Sequence, residues 1–158
     1  MEFPKRKHTR IPGYDYATHN YYFVTICTHN RNCIFWEDNA LSQCGKIAEE
    51  FLLKIPEFYP QVMVDKCVVM PNHVHGIFII RNDINSDKVP NIANVIGQYK
   101  MSVTKRIRQY YPNCEVWQRS FHDHIIRNRK GYDKIWEYIE NNPLKWEEDC
   151  FYQKDSKD

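Results

Sequence analysis

Two histidines interrupt the most apolar stretch of the chain, which runs from Cys67 to Arg81. His73 and His75 lie two residues apart among Val, Ile and Phe, a composition typical of a buried β-strand. Alternate side chains of a strand point to the same face of the sheet, so both imidazoles are expected on one face. Two neighbouring imidazoles are suited to a divalent metal ion, although two packed histidines would give the same pattern.

A tyrosine and an amide in a late helical segment could complete such a site. Residues 131–142 show a helical pattern whose apolar face consists of Tyr132, Ile135, Trp136 and Ile139. Tyr138 and Asn142 lie beside that face, one helical turn apart on the same side. If this helix packs over the histidine face, Asn142 joins the two histidines as a metal ligand. Tyr138 then lies next to the metal ion as a nucleophile.

This set of groups is suited to phosphodiester chemistry. A metal ion can polarise a phosphodiester oxygen and orient the leaving group. A tyrosine hydroxyl can attack phosphorus in line, and the resulting phosphotyrosine bond keeps the energy needed to rejoin the strand to a 3′-hydroxyl. The reference pKa of tyrosine is about 10, so the metal ion and nearby cations would have to assist its ionisation. The competing interpretation is that Tyr138 is an ordinary half-buried tyrosine, one of eleven in the chain.

The predicted elements around these residues alternate in a recognisable order. Strands are predicted at residues 21–28, at 61–70, from His73 onward after the Pro71-Asn72 break, and at 116–127, and helices at 39–53, 91–111 and 131–142. The order β-α-β-β-α-β indicates an α+β fold, a ferredoxin-like or RRM-like sandwich with an added C-terminal helix that carries the tyrosine. The first strand and the histidine strand are expected at the centre of the sheet.

Length and composition indicate one globular domain. The chain has 158 residues, 42% of them hydrophobic and 15% aromatic, which excludes a disordered chain. We expect a basic arm at residues 1–20, a single domain at 21–146 and a tail at 147–158. No run approaches the roughly 20 apolar residues of a membrane span, and the basic N-terminus lacks the apolar segment of a secretory signal. A cytoplasmic protein with no membrane partner is therefore expected.

Basic residues interleaved with aromatic ones form two clusters, a pattern that favours nucleic acid as a partner. Cations bind phosphates and rings stack on bases. The predicted DNA contacts are Lys5, Arg6, Lys7 and Arg10 in the arm, and Lys105, Arg108, Arg119, His122, His124 and Arg127 in the second cluster. A solvated helix face is the competing explanation for Lys105 and Arg108. His122 and His124 share a strand face, and a DNA contact, support of the metal ligands and a structural role all stay open for them.

The ordered motifs of the chain resemble the single-tyrosine HUH transposases of bacterial insertion sequences, and most of all the branch associated with repetitive extragenic palindromes (REP). The motifs are Met-Pro-Asn-His-Val-His at 70–75, Trp-Gln-Arg-Ser-Phe-His-Asp-His-Ile-Ile-Arg at 117–127 and Tyr-Ile-Glu-Asn-Asn-Pro at 138–143. Gly-Tyr-Asp-Tyr at 13–16 and Tyr-Phe-Val-Thr-Ile-Cys at 22–27 extend the resemblance over most of the chain.

The resemblance implies Mg²⁺ or Mn²⁺ bound by His73, His75 and Asn142, with Tyr138 as the nucleophile. Many family members have Gln where this chain has Asn142, whose side chain is shorter. The resemblance further implies single-stranded DNA folded into hairpins as substrate, and cleavage that leaves a 5′-phosphotyrosine and a free 3′-hydroxyl. Family members act as monomers or as homodimers with exchanged tyrosine helices, so the oligomeric state stays open. It also implies a bacterial protein associated with the nucleoid.

Three classes of function are compatible with these residues to different degrees. A DNA endonuclease and strand transferase uses both halves of the site, whereas a non-catalytic, domesticated nucleic-acid-binding module would use only the basic and aromatic surface. A metal hydrolase or nucleotide phosphotransferase without a tyrosine intermediate is disfavoured. A histidine-triad enzyme would have a histidine in place of Ile77, and a two-histidine phosphoesterase would need a second His-x-Thr or His-x-Ser motif, which Ser102 and Thr104 do not form.

Overall fold

The computed structural model describes residues 21–81 and 90–152. The strands are β1 (Tyr21–Cys27), β2 (Trp36–Glu37), β3 (Ala40–Leu41), β4 (Val62–Met70), β5 (His73–Ile80) and β6 (His122–Ile126). The helices are α1 (Gln43–Leu53), α2 (Ile55–Phe58), α3 (Ile92–Tyr110) and α4 (Arg129–Asn141), and 3₁₀ helices form at His29–Arg31 and Pro143–Glu148. The predicted arm, with Lys5, Arg6, Lys7 and Arg10, lies outside the described residues.

Four strands form one antiparallel sheet in the order β4-β5-β1-β6. The two central strands are therefore β5, which carries the histidines, and β1, which pairs with β5 on one side and β6 on the other. This arrangement confirms the predicted α+β class and the predicted pair of central strands. Strands β2 and β3 form a separate two-stranded hairpin before α1.

The sheet buries a different set of side chains on each face. Val74, Phe78 and Ile80 of β5 belong to the larger core, which they share with α1 and α3. Ile77 belongs to a smaller core beneath α4, formed with Phe23, Ile126, Ile135 and Ile139. Because β5 alternates between the two cores, His73 and His75 lie on the same face as Ile77, as predicted.

Two predicted boundaries were wrong, each for a local reason. The helix predicted at 39–53 begins only at Gln43. Asp38 and Asn39 have left-handed backbone conformations, with φ of 50° and 61°, and form the turn between β2 and β3. The Ser42 hydroxyl then caps α1 by accepting a hydrogen bond of 3.1 Å from the amide of Gly45. The strand predicted at 116–127 is shortened to β6, because Ser120 has a φ of 68° and interrupts the extended chain.

The last helix begins two residues earlier than predicted and buries a narrower face. The side chain of Asn128 caps α4 through a hydrogen bond of 2.8 Å from the amide of Gly131. Ile135 and Ile139 are buried as expected, but Trp136 is 37% exposed and its ring lies beneath the ammonium of Lys66, 4.2 Å away. The prediction that Trp136 belongs to the buried face was therefore wrong. Within the described residues, no helix has the length and apolar character needed to cross a bilayer.

Candidate active site

The two histidines of β5 are completely buried, and each ring is oriented by a hydrogen bond at Nδ1. Nδ1 of His73 lies 2.8 Å from Oδ1 of Asn72, and Nδ1 of His75 lies 2.9 Å from Oγ1 of Thr25. An amide oxygen can only accept a hydrogen bond, so His73 carries its proton on Nδ1 and has a lone pair on Nε2. The two ring centroids are 4.4 Å apart, which brings the imidazoles into one site.

The sheet and the turn before β5 hold these partners in place. Thr25 lies opposite His75 in the β1–β5 register, so its hydroxyl reaches the imidazole on the same face. Asn72 is completely buried, and its Nδ2 donates hydrogen bonds of 2.7 Å to the carbonyl of Phe151 and 3.3 Å to that of Arg31. The Pro71-Asn72 break in the sequence is thus the turn that orients His73.

Helix α4 brings the predicted tyrosine and amide to the same face of the sheet. The Tyr138 ring lies with its edge towards His75, at a centroid distance of 5.3 Å, and also contacts Phe23 at 6.3 Å. Asn142, directly after the helix, is 3% exposed. The structure therefore brings together His73, His75, Tyr138 and Asn142, the four residues that the sequence placed in one site.

A carboxylate that the sequence analysis missed lies in the same place. Oδ2 of Asp149 accepts a hydrogen bond of 2.5 Å from Nδ2 of Asn142 and lies 3.8 Å from Nε2 of His73. His73, His75 and Asp149 each have one atom that could bind a metal ion, and these three atoms lie within 4.8 Å of one another. Asp149 belongs to the segment predicted as a tail, where no periodic pattern pointed to a contact with the site.

These residues fit the divalent ion that the resemblance implies. Nε2 of His73 and Oδ1 of Asn142 are buried and make no hydrogen bond within residues 21–81 and 90–152. Buried polar atoms are nearly always hydrogen-bonded, and atoms without a protein partner are suited to bind a water molecule, an ion or a ligand. Imidazole nitrogen and amide or carboxylate oxygen are suitable ligands for Mg²⁺ and Mn²⁺.

Burial sets the protonation of the site. Burial lowers the pKa of His73, and the nearby Asp149 carboxylate offsets only part of that decrease. Burial also lowers the pKa of His75 well below its ordinary value of 6.5. Both rings are therefore neutral at neutral pH, the form that binds a metal ion. Burial also raises the pKa of Tyr138, and the charges of Asp149 and Cys150 raise it further. The Tyr138 phenolate thus needs a positive charge nearby.

Positive and negative side chains both line the cavity beside the tyrosine. This cavity of about 370 Å³ lies beside Tyr138 and Asn142, and its charged lining residues are the cations Lys134 and Lys145 and the carboxylates Glu137, Glu148 and Asp149. Sequence reasoning missed both lysines. Their positions four residues before Tyr138 and seven after it were available in the sequence, but nothing there showed that the chain after Pro143 turns back towards α4.

The predicted DNA contacts are distributed over two sides of the molecule. His122 lies opposite Thr25 in the sheet, in the same row as His75, and the exposed His124 lies opposite Phe23, two residues further along β6. Arg119 and Arg127 are exposed on either side of β6. Lys105 and Arg108, the other two predicted contacts among the described residues, are exposed on α3, which packs on the opposite face of the sheet.

Comparison with known proteins supplies the family. The model of the family described as "Transposase IS200 like" matches residues 16–142. An uncharacterized protein of Haemophilus influenzae is 34% identical over 167 residues, and the alignment covers 93% of each chain. Another H. influenzae protein, provisionally named a REP-associated tyrosine transposase, is 27% identical over an aligned length of 139 residues, and the alignment covers 83% of this chain and 74% of that protein.

Two solved structures share the fold. A REP-associated tyrosine transposase bound to a REP hairpin has a TM-score of 0.58 and 20% identity, with 92% of this chain and 74% of that chain covered. A Deinococcus radiodurans protein, provisionally described as a transposase, has a TM-score of 0.55 and 17% identity, with 85% of this chain and 97% of that chain covered. The family that the ordered motifs predicted is confirmed, because the family match extends over residues 16–142. The chain belongs to the IS200-like transposases.

Proposed function

We propose that this protein is a metal-dependent single-stranded DNA endonuclease and strand transferase, which acts on hairpin DNA through a covalent 5′-phosphotyrosine intermediate. The observation that carries the proposal is the contact between Tyr138 and His75, whose ring centroids are 5.3 Å apart. Asn142 follows α4 directly, four residues after Tyr138, so the end of the helix that carries the hydroxyl also carries an amide oxygen on the side of the histidines. Nucleophile and metal ligands are thus adjacent.

Tyr138 is proposed to attack the phosphorus of a DNA phosphodiester. The bond formed joins the phenolic oxygen to the 5′-phosphate, and the bond broken is the one between phosphorus and the 3′-oxygen. The phenolic proton leaves to solvent and the departing 3′-oxygen takes up a proton. A 3′-hydroxyl that attacks the phosphotyrosine reverses these steps and releases Tyr138, which joins the two strands.

His73, His75 and Asn142 are proposed to hold the divalent ion, Mg²⁺ or Mn²⁺. When bound, that ion would polarise the scissile phosphate and favour departure of the 3′-oxygen. Asn72 and Thr25 keep the two imidazoles oriented through their hydrogen bonds at Nδ1. Burial favours the neutral state of both rings, which is the form in which an imidazole nitrogen binds a metal ion.

Lys134 and Lys145 are proposed to assist the tyrosine. Both line the cavity beside Tyr138, where an incoming phosphate would be placed. Their positive charges would attract the phosphate and favour the Tyr138 phenolate, whose pKa burial raises. This is the role that the sequence analysis assigned to nearby cations without naming them.

Hairpin DNA is the proposed partner because a protein of the same fold has been solved with a REP hairpin. The edge of the sheet formed by β6 is proposed to bind the DNA strand close to the cleavage point. The residues on or beside β6 that would make these contacts are Arg119, His122, His124 and Arg127. A separate part of the DNA would contact Lys105 and Arg108, and the residues proposed for the arm are Lys5, Arg6, Lys7 and Arg10. Such a substrate places the protein in the cytoplasm, at the nucleoid.

A covalent adduct assay tests this function. The protein is mixed with labelled single-stranded hairpin DNA from the flanks of its own gene in Mn²⁺ or Mg²⁺, then resolved under denaturing conditions. We expect a protein–DNA band that disappears with EDTA and in Tyr138→Phe but persists in Tyr132→Phe. Tyr132 is a matched control on the same helix, hydrogen-bonded to Asp65. Tight binding to the hairpin without any band would favour the non-catalytic binding module instead.

A further inference from the structure

The chain beyond α4 returns to the histidines. After the 3₁₀ helix Pro143–Glu148, Phe151 is 5% exposed and its ring centroid lies 4.5 Å from that of His73. Its carbonyl accepts the 2.7 Å hydrogen bond from Asn72, the residue that orients His73. These contacts fix the segment against the sheet and bury the side chain of Asp149 completely.

Both oxygens of the Asp149 carboxylate are held by hydrogen bonds. Oδ1 accepts from the backbone amide of Phe151 at 2.9 Å, and Oδ2 accepts from Nδ2 of Asn142 at 2.5 Å. A carboxylate oxygen has two lone pairs, so Oδ2 can bind a second group in addition to Asn142. The bond to Nδ2 also fixes the orientation of the Asn142 amide, which leaves its Oδ1 as the atom without a hydrogen bond among the described residues.

The Asp149 carboxylate forms no ion pair with a lysine or an arginine in the part of the chain that the structure describes. Within residues 21–81 and 90–152, the group of potential positive charge that lies within 4.0 Å of the Asp149 carboxylate is the imidazole of His73. Nδ1 of His73 is hydrogen-bonded to Asn72, and Nε2, the ring nitrogen 3.8 Å from Asp149, is the one that a metal ion would bind. A buried carboxylate requires a compensating charge, and a bound cation can supply it.

We propose that Asp149 is itself a ligand of the divalent metal ion, through Oδ2, next to His73, His75 and Asn142. The inference rests on the proposed function, which places the ion at the two histidines. Two donor atoms that each lie about 2.1 Å from an ion are at most about 4.2 Å apart. The observed 3.8 Å between Oδ2 of Asp149 and Nε2 of His73 is therefore compatible with a shared ion.

The carboxylate changes what the site selects. Two neutral imidazoles and an amide oxygen carry no charge, so the cation would keep its full charge in a buried environment. An anionic oxygen ligand lowers that charge and favours hard divalent cations such as Mn²⁺ and Mg²⁺. The competing explanation is that Asp149 only orients the Asn142 amide.

Mn²⁺ binding to the full chain, measured by isothermal titration calorimetry without DNA, separates these explanations. Asp149→Asn keeps a side-chain oxygen that can accept from Asn142 and removes the charge. We expect its Mn²⁺ affinity to fall by at least about 10-fold. Glu147→Gln removes one negative charge from an exposed residue of the same segment and should change affinity by less than about 2-fold, because exposed charges are screened.

The three variants separate a metal role of Asp149 from the metal site at the two histidines. If Asp149→Asn binds Mn²⁺ as tightly as Glu147→Gln, while His73→Ala abolishes binding, the inference is overturned and the histidine site stands. If His73→Ala binds Mn²⁺ as the unchanged protein does, the proposed metal site is itself overturned, and the inference with it.

A second measurement needs no variant. A crystal structure of the unchanged protein with Mn²⁺ should show an anomalous peak about 2.1 Å from Oδ2 of Asp149. A peak bound by the histidines and separated from Asp149 by a water molecule would overturn the inference.

Discussion

The hydroxyl of Thr25 and Nδ1 of His75 lie 2.9 Å apart, across the two central strands of the sheet. Thr25 is 1% exposed, so this hydrogen bond is shielded from water. The bond fixes the orientation of the imidazole, whose ring centroid lies 5.3 Å from that of Tyr138 and 4.4 Å from that of His73. A hydrogen bond to the second ring nitrogen fixes the orientation of a metal-binding histidine, and its loss typically lowers metal affinity about 10- to 100-fold.

Replacing Thr25 by valine removes the hydroxyl and keeps the volume and the strand preference of the side chain. We expect Thr25→Val to fold normally and to bind Mn²⁺ about 10-fold more weakly, as measured by calorimetry. Thr25→Ser retains the hydroxyl and should bind within about 3-fold of the unchanged protein on the same reasoning. Equal affinities for the valine and serine variants would show that the hydrogen bond does not support the site.

The small core beneath α4 positions Tyr138, and its loss should be costly. Ile139 is 1% exposed and packs with Ile77 and Phe23. Ile139→Ala should lower the free energy of unfolding by about 2–5 kcal/mol, because it leaves a cavity between helix and sheet. Leu144→Ala, at a position 87% exposed, should change it by less than about 0.5 kcal/mol. Denaturant unfolding measures both, and a near-neutral Ile139→Ala would contradict the proposed packing role of α4.

Metal binding should stabilise the folded chain. At a Mn²⁺ concentration about 100 times the Kd, a site formed only in the native state adds about 2.7 kcal/mol to the free energy of unfolding. We expect the thermal midpoint to rise with Mn²⁺ and to return on addition of EDTA. The rise should be lost in His73→Ala and retained in His29→Ala, whose histidine is partly exposed and paired with Glu115. A rise of the same size in both variants would place the ion elsewhere.

Cations beside β6 should contribute to DNA binding through phosphate contacts. Arg119→Ala and Arg127→Ala should each weaken hairpin binding and reduce the slope of log K against log salt by about 0.7–0.9. Lys46→Ala removes an exposed charge from α1, on the other side of the sheet, and serves as the control with an unchanged slope. Slopes that are equal in all three variants would exclude β6 from the DNA interface.

The periodic spacing of residues in the strand and in the helix was sufficient to predict much of the site. Alternation along β5 placed His73 and His75 on one face, because a strand buried between two cores has no freedom to rotate its side chains to the other side. The helical period placed Tyr138 and Asn142 together, because α4 packs through Ile135 and Ile139 over that same face. Both pairings follow from the regular spacing of side chains along a strand or a helix, and that spacing can be counted in the sequence.

The parts that were missed depend on contacts between distant segments. Asp149 reaches His73 only because the chain turns after Pro143 and Phe151 docks against the ring, and neither event has a periodic pattern. Trp136 was predicted as buried because its position fits the apolar face. The sheet covers only the narrower stripe of Ile135 and Ile139, and Lys66 packs over the indole instead. Packing partners, not residue type, decided these outcomes.

Tyr138 is proposed to form the covalent bond to DNA, and peptide mapping of the adduct identifies the residue that carries this bond. The protein is reacted with hairpin DNA in Mn²⁺, digested with nuclease and protease, and analysed by mass spectrometry for a peptide that carries a nucleotide on tyrosine. We predict the modification on Tyr138, in the peptide that contains Ile139 and Asn142. A nucleotide found on Tyr132, Tyr152 or any other residue would show that Tyr138 is not the nucleophile.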